Sequence, residues 1–308
     1  VEALQENRPI PVSQCVLPEA YCLLDYKHFE ANAIRKLDTP FSFASSPTAD
    51  AFPYGHAAKV LLSPGACKER PDILVVVRTE PKHALERQSI RETWGSTESL
   101  YNHTLRVVFV MGEGESVERK VLARVSAKHK DMWMIDIRSA PANQTQIQFL
   151  SYSWVVNYCA PQRFLVQTED ASFLNMKRII RLLHKVPARE RRFLYYGEYT
   201  PFQGVSVATA LQQRGIAWSY CVGPTYILSA SLLAPLVFSS FFSPLITTHA
   251  DVEVGKALHF MNVEPSQGDR VFFQRVKFNK MRKFHLDRYC SLSPVKPEEM
   301  KVLFADIS

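Results

Sequence analysis

A chain of 308 residues, 46% hydrophobic and 22% charged, has the composition of an ordinary folded globular protein, which excludes collagen, coiled coil and wholesale disorder. Its length allows one or two domains and a core that needs no disulfide staples. Thirty-seven basic residues against thirty acidic give a net charge of +7. Nucleic-acid binders concentrate such charge in blocks, and no run of five or six like charges occurs, so a nucleic-acid partner is not expected. The excess suits an anionic small ligand or an acidic surface equally well.

Residues 1 to 66 carry several prolines, a Ser-Phe-Ala-Ser-Ser-Pro patch and one short helical candidate near Tyr26 to Lys36. They read as a stem or wrapping segment that Cys15 and Cys22 could pin. From Pro71 the pattern alternates. Ile73 to Val77 is an unbroken apolar run, the mark of a strand buried on both faces. A polar loop (Thr79, Glu80, Pro81, Lys82) follows it, then a helix from His83 to Trp94. Strands are expected at Leu105 to Met111, Met132 to Ile137, Phe164 to Gln167 and Phe193 to Tyr196. Helices are expected at Val117 to Lys128, Thr145 to Tyr158 and Met176 to His184.

Gly215 to Ala250 contains no Asp, Glu, Lys or Arg, but Pro224, Pro235, Pro244 and several serines interrupt it. It reads as a strand followed by a helix and not as a membrane span. A helix is expected from Val252 to Phe260, with Asp251 as a candidate for its cap. Strand and helix alternating at this spacing predict an α/β fold, a mainly parallel sheet flanked by helices, with ligands beyond the carboxyl ends of the strands.

Six cysteines stand at Cys15, Cys22, Cys67, Cys159, Cys221 and Cys290, with no C-x-x-C pair to suggest zinc or thioredoxin chemistry. Two N-x-[ST] sequons mark Asn102 and Asn143 as expected glycosylation sites. The even cysteine count and the sequons favour an oxidising, secretory compartment. In such a protein a signal or membrane anchor would lie outside these residues.

Two loops at strand ends carry the candidate chemistry. After the first strand come Thr79 and then Arg87 and Arg91, four apart on one helix face, well placed for a diphosphate or simply lining a solvated face. After the strand at Phe164 comes the acidic pair Glu169-Asp170. Such a pair can hold a hard cation, or Asp170 can cap the next helix.

Arg87 to Gly95 matches R-x-x-I-R-x-[TS]-W-G in full, and Cys67 to Phe304 resembles the β-1,3-glycosyltransferases of the secretory pathway. These are the galactosyl- and N-acetylglucosaminyltransferases of glycosyltransferase family 31. Asn143, Thr145, Trp154, Val155, Cys159, Phe164, Thr168, Asp170, Phe173 and Asn175 fall without a gap in the family's block from N-L-T-L-K to K-T-D-D-D-V-F-V-N. Tyr220-Cys221, Tyr226, Leu228 and Ser229 resemble Y-C-x-G-x-x-Y-x-L-S. Asp251-Val252 and Gly255 resemble E-D-V-x-x-G, and Lys296 to Met300 with Phe304 resemble the K-P-x-E-M ending.

The resemblance implies a GT-A-type fold over residues 67 to 308, with residues 1 to 66 outside it. It implies transfer of a hexose (galactose, N-acetylglucosamine or N-acetylgalactosamine) from a UDP-sugar to the 3-hydroxyl of an acceptor glycan, with inversion. Asp251 would be the base, and Thr79, Arg87, Arg91, Glu169 and Asp170 would bind the nucleotide. Cys67, Cys159 and Cys221 match family cysteines, which implies disulfide roles. The compartment implied is the Golgi or endoplasmic-reticulum lumen, as a type II membrane protein or a secreted one.

The departures from the family fall on catalytic positions. D-D-D is replaced by Glu169-Asp170-Ala171, so the usual metal-binding carboxylate is a methyl group. Two family lysines are Gln167 and Ile147, the histidine before K-P-x-E-M is Ser293, and the acid before the base is Ala250. No cofactor is therefore expected beyond the UDP-sugar itself, with Mn²⁺ bound weakly or not at all. Lys82, Arg87, Arg91 or His249 would have to supply the missing positive charge. Two functions follow: a metal-independent transferase, or a catalytically inactive relative serving as chaperone, complex partner or glycan-binding module.

Overall fold

The computed structural model describes residues 58–201, 218–240, 247–267, 273–274, 286 and 288–307. Most of the segment read as a stem, with its short helix, Cys15 and Cys22, lies outside the described residues. Its last part enters the sheet: Val60–Leu62 (β1) pairs antiparallel with Met132–Arg138 (β5).

The apolar run at Ile73 builds the central strand, Ile73–Arg78 (β2), whose first five residues are fully buried. Ser99–Leu100 (β3), His103–Glu113 (β4), Phe164–Glu169 (β6), Tyr195–Pro201 (β8), Ser219–Ser229 (β9) and Ser266–Gln267 (β10) complete the sheet. Among the described residues it has nine strands in the order β1-β5-β4-β2-β6-β9-β8-β10, with β3 on β4. The block β5-β4-β2-β6 is parallel, and β9 runs antiparallel to both β6 and β8. This is the expected mixed, mainly parallel sheet. Phe173–Leu174 (β7), Phe273–Gln274 (β11) and Ser291–Leu292 (β12) form a small second sheet.

Seven helices are described: Ala84–Glu92 (α1), Ser116–His129 (α2), Gln144–Tyr158 (α3), Met176–Lys185 (α4), Leu233–Ser240 (α5), Ala250–Phe260 (α6) and Pro297–Ile307 (α7). Successive strand residues face opposite sides of a sheet. Ile73, Val75 and Val77 accordingly join a core with Ile90 and Trp94, with Ile179, Ile180 and Leu183 of α4, and with Met300 and Leu303 of α7. Leu74 and Val76, equally buried, point the other way, to the layer where α3, α5 and α6 pack on one another and α6 on β9.

Several expected boundaries shift. The strand expected at Phe193 starts instead at Tyr195, because Arg191–Phe193 is a 3₁₀ turn and the Leu194 amide is taken by Ser229 Oγ (2.7 Å). The charge-free stretch becomes β9 and α5 as expected, and no helix among the described residues is long and apolar enough to cross a membrane.

Cys67 and Cys159 form a disulfide across a sequence separation of 92 residues. Cys221 does not share the disulfide role inferred for it: its thiol is free and buried, beside Gly197, and burial pushes its pKa far up. Cys290 is also free and buried, its pKa pushed up to about 12.

Tyr101 and Asn102 turn β3 into β4 with φ of 50° and 61°, the paired left-handed geometry of a two-residue hairpin. The next residue, His103, is buried at 7% exposure, with Nε2 2.9 Å from Nε2 of His184, so one of the two rings must carry the shared proton. Burial, then the charges of Arg163 and His184, lower the His103 pKa, against the opposing pull of Asp72. The folded protein therefore binds a proton at His103 less readily than the unfolded chain, which takes one up near the ordinary value of about 6.5. The unfolded state binds more protons below that pH, so stability falls as pH drops through it. Thermal melts between pH 7.5 and 5 are expected to show this slope, and His103→Gln to flatten it. Some slope remains from His129, which burial shifts the same way; a variant as steep as the native protein would show that His103 does not carry the effect.

Candidate functional site

The chain leaves β2 towards β4 and β5 on one side and returns to β6 on the other. The crevice between the carboxyl ends of β2 and β6 is therefore the topological switch point, where α/β sheets place ligands. Arg78 and Glu169 are register partners there, and the Asp170 amide extends the ladder to Arg78 O (3.0 Å). The side-chain alternation then splits the edge. Thr79 and Asp170 turn to the α1 side, Arg78 and Glu169 to the side of β9 and α6.

On the α1 side, Asp170 Oδ2 accepts from Thr79 Oγ1 (2.6 Å) and from His83 Nδ1 (2.8 Å). Arg87 Nη1 donates to Thr79 Oγ1 (3.1 Å) and to Glu80 O, and Nη2 donates to Pro81 O (2.9 Å). With 2% exposure, Arg87 is a buried clamp on the loop after β2 and not a solvated side chain. Burial, and next the neighbouring Arg91, lower its pKa to about 10, which leaves it charged at neutral pH. Asp170 does not cap the next helix: Asn175 does, accepting from Arg178 N (3.0 Å).

On the opposite side, Arg78 donates through Nη2 to Glu169 Oε1, with side chains 22% and 37% exposed. Burial opposes the Arg78 charge, but Glu169, Tyr226 and Asp251 outweigh it and the pKa ends above its ordinary value. Asp251 lies in the first turn of α6, whose N-cap is His249, so Asp251 is not the helix cap. Its Oδ2 accepts from Gly223 N (3.2 Å) and its Oδ1 from Val252 N (3.0 Å). A Cβ on Gly255 would come within 2.2 Å of Tyr220 Cβ and 3.0 Å of its Cα. Glycine there lets α6 lie close enough on β9 to bring Asp251 to this edge.

Beneath this cluster Tyr152 donates to Gln167 Oε1 (3.2 Å), which also accepts from Gln148 Nε2 (2.7 Å). Tyr226 OH, 2.8 Å away, is then the donor to Tyr152. Burial pushes both phenol pKa values well up, so the network is neutral. Gln167 and Ile147, the positions of the family lysines, are both buried and carry no charge to the site.

The residues do not fit a divalent cation. Val295 N donates to Ala171 O (2.8 Å), so the structure does bring the segment of Ser293 against Ala171, the two positions where metal ligands are implied. They offer a methyl group and a hydroxyl. Glu169 and Asp170 face opposite sides of the edge, each already paired. No group of three His, Cys, Asp or Glu able to hold a metal occurs among the described residues. Hard cations need several oxygens converging at one point, and this edge does not supply them.

The other expected cations are placed elsewhere. Arg91, in the last turn of α1, binds Asp131 through Nε (2.7 Å) and Nη2 (3.0 Å) and lies over the Phe109 ring. Asp131 precedes β5, whose first residues lie level with Val77 at the carboxyl end of β2, and the Arg91 guanidinium is spent on that carboxylate, which does not favour the diphosphate role expected beside Arg87. Lys82 pairs with Glu80 (3.0 Å), and His249 is exposed before α6. Asn102 is exposed in its hairpin, whereas Asn143 gives Nδ2 to Arg138 O (2.9 Å) and the Thr145 of its sequon is fully buried. The residue missed from sequence is Arg78; its signal was a cation ending a five-residue apolar run at the switch point.

A family model described as Galactosyltransferase matches residues 85–269. Beta-1,3-galactosyltransferase 1 of Homo sapiens is 25% identical over 263 residues, covering 82% of this chain and 79% of that protein. Beta-1,3-galactosyltransferase 5 of Mus musculus is 25% identical over 263 residues, covering 80% and 78%. UDP-GlcNAc:betaGal beta-1,3-N-acetylglucosaminyltransferase 8 of Mus musculus is 30% identical over 135 residues, covering 42% and 34%. Among solved structures, galactosyltransferase LgtC in complex with donor and acceptor sugar analogs superposes with a TM-score of 0.43 at 10% identity, covering 75% of this chain and 95% of that one. That score adds nothing to what the chain's own topology shows. With its mixed, mainly parallel sheet flanked by helices, the chain belongs to the galactosyltransferase family, among the β-1,3-glycosyltransferases.

Proposed function

We propose that the chain is a metal-independent transferase that moves a hexose from a UDP-sugar to the 3-hydroxyl of an acceptor glycan with inversion. Asp251 takes the hydroxyl proton as the new bond forms at the anomeric carbon, and the bond to the diphosphate breaks. The supporting observation is that Asp251 reaches the switch-point edge on the same side as a partly exposed cation, Arg78, while the metal-ligand positions hold Ala171 and Ser293. General base catalysis and charge stabilisation of the leaving group are separable tasks, and only the second ordinarily needs a metal. The Cys67–Cys159 disulfide and the exposed sequon at Asn102 support a Golgi or endoplasmic-reticulum lumen location.

A second reading, an inactive member acting as chaperone, complex partner or glycan-binding module, is favoured by one observation. Arg87 and Asp170, implied nucleotide binders, are both spent on the loop after β2. Calorimetric titration with UDP separates the two. Binding in the micromolar to millimolar range that is unchanged by Mn²⁺, with EDTA-resistant sugar transfer, is the expected result. No UDP binding with or without Mn²⁺ would establish the second reading. A melting temperature or UDP affinity that rises clearly with Mn²⁺ would overturn the metal-independent mechanism.

A further inference from the structure

Building on the transferase reading, we infer that Arg78 is the cationic pole of the diphosphate subsite and that Glu169 is its internal placeholder, a carboxylate the diphosphate displaces. Arg78 ends the central strand at the switch point, and Glu169 is its register partner on the neighbouring parallel strand. Their ion pair is not sealed: both side chains keep partial solvent access, so an incoming anion can reach them. Among the described residues, the cations expected to serve this edge are occupied. Lys82 holds Glu80, Arg87 holds two backbone carbonyls, and Arg91 holds Asp131 at the far end of its helix.

A guanidinium presents a planar fork that suits carboxylate and phosphate oxygens alike, so one site can hold either in turn. A cation partly withdrawn from water also needs an anion beside it in the free protein, which explains a carboxylate at position 169 where no metal is gripped. Arg78 and Asp251 influence each other across the same side of the edge. Base and leaving-group stabiliser thus share one side of the switch-point edge. Glu169 is released to solvent when the diphosphate binds; as the anomeric bond breaks, its electron pair passes to the diphosphate oxygen, to which Arg78 donates. The acceptor proton goes to Asp251, and charge balances without a metal.

The test is calorimetric titration of the full chain with UDP and with uridine, which lacks phosphates. Arg78→Gln is expected to weaken UDP binding about ten- to a hundredfold, the loss of a charged hydrogen bond, and to leave uridine binding unchanged. Arg78→Lys should retain part of the UDP affinity. Glu169→Gln should bind UDP several-fold more tightly, melt lower without ligand and gain more from UDP than the native protein does. Arg163→Gln, whose side chain pairs with Asp72 at the amino end of β6, should match the native protein. If Arg78→Gln does not fold, the Lys variant and the tightening by Glu169→Gln decide. Native UDP affinity in both Arg78 variants, or weaker binding by Glu169→Gln, overturns the inference alone. A native protein that binds no UDP overturns the transferase reading and this inference with it.

Discussion

Asp251→Asn is expected to reduce sugar transfer by about 10²–10⁴-fold, the usual contribution of a positioned general base. The substitution keeps size and one acceptor oxygen, so Gly223 N still finds an acceptor, and only the short contact from Val252 N is lost. What disappears is the carboxylate that takes the proton. UDP should bind at least as tightly, because a negative charge near Arg78 has been removed. A fall in turnover without a loss of nucleotide affinity is the signature of an interaction made in the transition state. EDTA-resistant transfer assays, paired with UDP titration of the same preparation, check both halves. Undiminished turnover would remove Asp251 from the mechanism.

Arg87→Met is expected to lower folding stability by about 3 kcal/mol or more, since each buried acceptor left without a donor costs about 1–3 kcal/mol. The guanidinium satisfies Glu80 O and Pro81 O and braces Thr79, and nothing of methionine's shape can do so. For a chain of this size the melting temperature should fall by about 6–12 °C. Arg87→Lys should rescue little, because a single ammonium cannot reproduce the fork that spans two carbonyls. A native melting temperature in Arg87→Met would show that the loop after β2 holds itself. The same loop carries Asp170's partner Thr79, so UDP affinity in the folded fraction should weaken as well.

The strand-helix rhythm was legible because period and burial agree: Ile73 to Val77 could only be a central strand, and β4, β5 and β6 followed from similar runs. The hallmark motif identified the family correctly, yet its residues turn out to serve folding. Arg87 clamps a loop, Ile90 and Trp94 fill the core, Arg91 anchors on Asp131, and a Cβ on Gly95 would strike Ile90 O at 2.7 Å. Helical spacing places Arg87 and Arg91 on one face, but it does not say that one is spent on the carbonyls of the loop after β2 and the other on Asp131. Arg78 was passed over because a strand's last residue carries no motif of its own. Only the register with Glu169, a long-range pairing, gives it meaning. Asp251 was found by motif, and its role as a cap was excluded only once the helix began at Ala250, two residues earlier than periodicity indicated.

The bond between Cys67 and Cys159 ties the approach to β2 to the end of α3, at the edge of the sheet remote from Asp251 and Arg78. A cross-link closing so long a ring removes on the order of 4 kcal/mol of freedom from the unfolded chain, a large share of the net stability of about 5–15 kcal/mol that domains possess. Protein matured in a reducing cytoplasm would therefore arrive with an intact nucleotide edge on a weakened frame. Its half-life, rather than its affinity, would carry the record of where it was made.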